Sequence, residues 1–151
     1  MTDTVTDRIE RSIDIDAPAE VVYSLVSRPG WWINADEVDP EPDLRTDGQL
    51  SILRHPVWGE FEIRTVDQRP PAYIAFRWSS EPLSAVGADA ETTLVEFFIE
   101  PIGVGVQLRV VESGFSALTK PADRITSHVE ENTSGWESEL AAARRYVLAA
   151  R

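Results

Sequence analysis

Between Gly48 and Ser113 apolar side chains recur at every second position, and beyond Ala122 they recur at three- and four-residue spacing without a proline. That change of period limits the architecture more than any motif in the chain, because period two belongs to strands and the longer period to a helix. Period-two stretches over 48–54, 59–66, 73–79, 92–102 and 105–113 predict five strands. They are separated by turn-rich pieces such as Arg69-Pro70-Pro71 and Pro101-Ile102-Gly103. Their short connections predict an antiparallel meander. Phe61, Ile63, Ile74, Phe76, Trp78, Val95, Phe97, Ile99, Val106, Leu108 and Val110 take one face, and Glu60, Glu62, Arg64, Arg77, Glu96, Glu100 and Arg109 the other. One face is expected to be wet and the other covered. The cover is a single helix over about 122–150, whose stripe is Val129, Asn132, Trp136, Leu140, Ala143 and Val147.

Upstream, Ile9, Ile13 and Ile15 share one parity of a strand over 8–15, with Arg11 as the polar exception on that face. Asp16-Ala17-Pro18-Ala19-Glu20 then reads as a helix start, with a proline in the first turn and an acid near the positive end of the dipole. Val22, Leu25 and Val26 give that helix its buried stripe. Arg28-Pro29-Gly30 ends it, and Trp31-Trp32-Ile33 is expected to form a second short turn of helix. The stretch from Asn34 to Asp47, with six acids and two prolines, is expected to be a solvated, mobile loop. No repeat or interdomain linker occurs, so residues 1–151 are expected to form one α+β domain. Its sheet should have six or seven antiparallel strands around a long C-terminal helix.

Composition removes several chemistries. The chain has no cysteine, so disulfides, thiolate metal sites and cysteine nucleophiles are excluded. Only His55 and His128 are imidazoles, and Lys120 is the single lysine. A net charge of −12 opposes nucleic acid and anionic membrane surfaces. The first eight residues lack a signal-peptide pattern and no run reaches the length of a membrane span, so a cytoplasmic location is expected. Gly103-Val104-Gly105 lies in a hairpin turn with no helix after it, which argues against a nucleotide. The acids of 36–47 lack the spacing and central glycine of a calcium loop. No nucleophile-elbow sequence accompanies either histidine. No metal and no cofactor are expected.

Certain residues resemble a known family in their order along the chain. These are Asp16-Ala17-Pro18-Ala19-Glu20-Val21-Val22-Tyr23, Trp31-Trp32, Gly59 opening a strand that runs to Pro70-Pro71, Phe76-Arg77-Trp78, Glu112-Ser113-Gly114-Phe115, and Gly135-Trp136 followed by Leu140. The chain thereby resembles the START-like (SRPBCC) superfamily. Within it, the likeness is to bacterial relatives of the C-terminal domain of the activator of the ninety-kilodalton heat-shock protein ATPase. Asp47-Gly48 departs from the family's usual paired glycines. The resemblance implies a helix-grip fold, a curved sheet wrapped around the last helix. It also implies a cavity for an apolar small molecule, of lipid or polyketide type. A few relatives in the superfamily are cyclases, dehydratases or hydroxylase components, so an enzyme using the same cavity, or a chaperone-coupled regulator, stands as an alternative.

Five tryptophans and five phenylalanines exceed what closing one core requires. Trp32, Phe61, Phe76, Trp78, Phe97, Phe115 and Trp136 are the candidate walls of a cavity between the last helix and the sheet, with Trp58 at its mouth; the plain alternative for them is core packing. Glu112 falls by parity on the covered face, where an unpaired charge is costly. Either Arg11, the matching anomaly on the first strand, pairs with it, or its side chain leaves the covered face at the sheet edge, or Glu112 orients a ligand or transfers a proton. His128 and Asn132, two turns and one turn before Trp136, are the remaining candidate polar groups of the site, the alternative being partial exposure.

Overall fold

The computed structural model describes residues 7–86 and 90–150. Strand β1 (Arg8–Ile15) leads into helix α1 (Ala19–Val26), after which β2 (Asp43–Asp47), β3 (Leu50–His55), β4 (Gly59–Arg69) and β5 (Tyr73–Trp78) follow. A four-residue helix α2 (Leu83–Val86) precedes β6 (Thr93–Ile102) and β7 (Gly105–Ser113). A 3₁₀ turn at Phe115–Ala117 then leads into α3 (Ala122–Ala149). The seven strands form one antiparallel sheet in the order β1-β7-β6-β5-β4-β3-β2. The meander read from the sequence therefore runs from β2 to β7, and β1 closes against its last strand. This is the expected α+β helix-grip architecture.

Alternation places Phe61, Ile63, Ile74, Phe76, Val95, Phe97, Ile99, Val106, Leu108 and Val110 in the core, all 6% exposed or less. Against that face lie α1, which packs on β6 and β7, and α3, which packs along β1 and against α1. Each helix adds the stripe its spacing predicted: Val22, Leu25 and Val26 from α1, and Trp136, Leu140, Ala143 and Val147 from α3. Burying such side chains contributes roughly 1.5–3 kcal/mol each before conformational entropy is counted.

Two segments differ from the sequence expectation. The stretch expected to be a loop through Asp47 contains β2, which pairs with β3 from Asp43↔Arg54 to Asp47↔Leu50 through a two-residue turn in which Gly48 takes φ +63°. An edge strand solvated on both sides needs no apolar alternation, and β2 shows none beyond Leu44. Its approach is anchored, since Val38 is buried and Arg145 of α3 holds Glu37 at 2.9 Å. Trp31-Trp32-Ile33 is not helical but two overlapping turns, with the Trp31 N–H on the Arg28 carbonyl at 3.1 Å and the Ile33 N–H on the Gly30 carbonyl at 2.9 Å.

Gly30 makes this reversal, with φ +77° and a missing Cβ that would lie 3.0 Å from Ile63 Cδ1. Gly30→Ala is expected to lower stability by about 1–3 kcal/mol. Urea denaturation checks this, and the near-ultraviolet tryptophan signal should weaken as Trp31 and Trp32 lose their placement.

Candidate functional site

Glu112 is 0% exposed, on β7 between Val95 of β6 and Ile9 of β1. Its carboxylate accepts four hydrogen bonds. Oε2 takes the Trp78 indole N–H at 3.0 Å and the Thr93 hydroxyl at 2.5 Å. Oε1 takes the Asn132 amide at 3.0 Å and the Trp136 indole N–H at 2.8 Å. The donors come from the end of β5, the start of β6 and two successive turns of α3. Hydrogen bonds to a charged group contribute about 1.5–3 kcal/mol each, and four of them replace the hydration that burial removes.

The expected partnership with Arg11 does not form. Register sets Arg11 opposite Val110 rather than Glu112, and its guanidinium runs outward to Glu137 of α3 at 3.0 Å. Two residues of register are enough: they put Arg11 beneath a solvent-facing stretch of the helix, where a half-exposed ion pair costs little.

Trp32 occupies the space between the sheet and α3. Its ring centroid lies 5.4 Å from Phe76 and Trp78, 5.6 Å from Phe97 and 5.7 Å from Trp136. Its indole N–H is buried without a partner among the described residues. Asn34 brackets the turn that carries it, donating to the Trp31 carbonyl at 2.7 Å and to the Glu139 carboxylate on α3 at 2.8 Å. Trp58 in turn donates its indole N–H to the Asn34 carbonyl at 3.1 Å.

Above this filling lies a cleft of about 120 Å³ lined by Trp32, Trp78, Asn132, Gly135, Trp136 and Glu139. The internal cavity expected between Trp78 and Trp136 is not there: the two rings border only a small open cleft, because Trp32 fills the interior. Of the residues expected to line the site, Trp32, Trp78, Asn132 and Trp136 meet there, with Glu112 beneath them. Phe61, Phe76 and Phe97 back the tryptophans from the sheet and do not reach the cleft. Phe115 is fully buried against the edge of His128. His128 lines a different, polar pocket with Ser80, Lys120 and Glu131, and Asn132 borders both. Trp58, half exposed and stacked on His55, is not at the mouth; it serves the turn through Asn34.

The sequence reading missed Glu139. Burial pushes its carboxyl up to about 7, while the Asn34 hydrogen bond and Arg145 pull the other way. Its spacing of three from Trp136 and seven from Asn132 is the signal that could have found it, since those offsets share one helix face.

No protein-family model matches the chain, and no curated protein matches it. Solved structures do. DynU16, from the dynemicin biosynthetic locus, is 19% identical with a TM-score of 0.69 over 97% of this chain, and this chain spans about half of its length, 49%. CalU16 from Micromonospora echinospora is 17% identical, with a TM-score of 0.60 over 93% of this chain and 75% of its own. The Aha1 dimer from Colwellia psychrerythraea is 17% identical, with a TM-score of 0.58 over 92% of this chain and 97% of its own. At the level of fold, these structures agree with the START-like, Aha1-related resemblance. No described helix is long and apolar enough to cross a membrane.

Two predictions follow from the carboxylates. Glu112→Gln turns an acceptor into an amide that meets two donors head-on, so it is expected to cost about 3–5 kcal/mol. Trp136→Phe, which removes one donor and keeps a ring, should cost about 1–3 kcal/mol; chemical denaturation measures both. For Glu139, a folded-state value raised above the unfolded one means the folded chain holds the extra proton. Its contribution to stability is present below about pH 4.5 and is lost as pH rises to about 7. Glu139→Gln keeps an acceptor for Asn34 and should flatten the stability difference between pH 5 and pH 8.

Proposed function

We propose that the chain binds an apolar or aromatic small molecule, of lipid or polyketide type, in the space between α3 and the sheet, entered at the Trp32–Trp78–Trp136 cleft. The observation that carries this reading is Trp32. The ring filling the grip belongs to a turn, not to the sheet or the helix, and its unpartnered indole N–H lowers the cost of moving it out. The walls it would vacate are the rings of Phe76, Trp78, Phe97 and Trp136. These suit a flat apolar ligand, with the cleft as the point of entry. The similarity to DynU16, from a biosynthetic locus, supports a small-molecule role.

A second reading is an acid–base reaction of a bound molecule, of the cyclisation or dehydration kind. Glu112, with both oxygens engaged by donors, is poorly placed for it. Glu139, at the rim of the cleft with a proton held near neutrality, fits general acid–base chemistry better. A chaperone-coupled role rests on the resemblance alone, and a pull-down with the chaperone tests it.

Trp32→Ala is expected to cost about 3–5 kcal/mol and to open a niche that binds indole. Calorimetric titration with indole should show the variant binding at least about tenfold more tightly than the parent, which must first move its own ring. A folded Trp32→Ala or Trp32→Leu chain that takes up neither indole nor an apolar fluorescent probe would sink the reading.

A further inference from the structure

Glycine inside a helix is unfavourable, because it loses more backbone freedom on folding than other residues and packs nothing. Gly135 nevertheless stands at the middle of the 28-residue helix α3. Such a position needs a reason. Of the other described glycines, five take positive φ, and Gly105 lies so close to the Ile15 carbonyl that a Cβ would have no room. Gly135 has neither requirement. Its φ is outside the left-handed region, and a Cβ there would meet no atom of another element within 4 Å. Neither conformation nor close packing accounts for the missing side chain.

What the position does border is the aromatic cleft. Asn132 lies three residues before Gly135 and Glu139 four after it, so the three share one face of α3, and all of them line the cleft beside Trp136. Helical side chains lean over the preceding turn. A side chain at 135 would therefore lie across the span towards Asn132, where the helix now shows bare backbone. The two neighbours are held and do not swing in to cover that span: the Asn132 amide donates to Ser80 and Glu112, and the Glu139 carboxylate accepts from Asn34. With a volume of about 120 Å³, the cleft has little space to lose to a branched side chain.

We propose that Gly135 is the threshold of the ligand site: its bare backbone is the gap through which a small molecule passes between α3 and the sheet, and the size of the side chain at 135 sets how fast it passes. This rests on the small-molecule reading given above and adds the residue that controls entry. It also gives a role to the Gly135-Trp136 pair that the sequence singles out. Trp136 turns its N–H inward to Glu112, and Gly135 beside it leaves the outer surface of the helix open.

The test follows the exchange of 5-fluoroindole by ¹⁹F line shape on the full chain, in the Trp32→Ala background where removal of the ring opens the niche. Adding Gly135→Leu should slow association and dissociation together by at least about tenfold, with Gly135→Ala falling in between. Ser134→Leu, one position away and on the acidic groove of Asp36, Glu37 and Glu137 instead, should leave the exchange rates as they are. Folding is expected to survive each change at 135. Gly135→Ala should lower the unfolding equilibrium constant about fivefold in urea, the difference between the two residues in a helix interior. Unchanged exchange in the Gly135→Leu chain would overturn the threshold and leave the ligand reading standing. A loss of stability in Gly135→Ala would also overturn it, by showing that the helix itself requires glycine there. If the Trp32→Ala chain takes up no 5-fluoroindole, both readings fall.

Discussion

A fully buried carboxylate with no cation beside it among the described residues depends entirely on where its donors are, and Glu112 has four. They come from β5, β6 and α3, so this one side chain joins three strands and the covering helix at a single point. A helix lying on an apolar sheet can slide or rotate at small cost, because dispersion contacts are exchangeable. Two donors one turn apart on α3, both required by the same oxygen, remove that freedom. Any shift that separated Asn132 or Trp136 from Oε1 would leave a buried charge partly unsolvated, at several kcal/mol. The aromatic rings around it owe their orientation to the same constraint, since Trp78 and Trp136 must present their N–H edges inward.

The second constraint is the turn that follows α1. Gly30 reverses the chain, Asn34 ties it to α3, and between them Trp32 is delivered into the grip. The interior is therefore filled by a side chain from a turn held by two backbone hydrogen bonds, while the walls belong to the sheet and the long helix. Tight filling of the interior and a capacity to take up a ligand are compatible here, because the filler and the walls belong to different elements. Glu139 sits where the two meet, accepting from Asn34 and bordering the cleft.

Much of this was legible in the residues. Alternation assigned β3 to β7 and their covered face, and it placed Glu112 inward because it shares the parity of Val106, Leu108 and Val110. The stripe of α3 gave the helix and named Asn132 and Trp136 as facing the sheet. Glu139 escaped because a glutamate next to a stripe reads as solvated, and β2 escaped because an edge strand wet on both faces has no period to detect. His128 was read as part of one cavity with Trp136. The helical offset of eight residues carries it about 12 Å along the axis, past the end of the aromatic cleft and into a separate polar pocket.

Periodicity is a local property, so the sequence by itself determined which segments are strands and helices, which faces they cover, and that a carboxylate must be buried on one of them. Partner choice is not local. Whether Glu112 would meet Arg11 or two indoles depended on a two-residue register between β1 and β7 and on the lateral seat of α3, neither of which any single segment encodes. The same holds for Trp32: its bulk was plain in the sequence, but that it fills the grip was decided by the turn at Gly30 and the space left between packed elements. Only the tertiary structure settles such questions, because hydrogen-bond donors and rings commit to the partners that packing brings within reach.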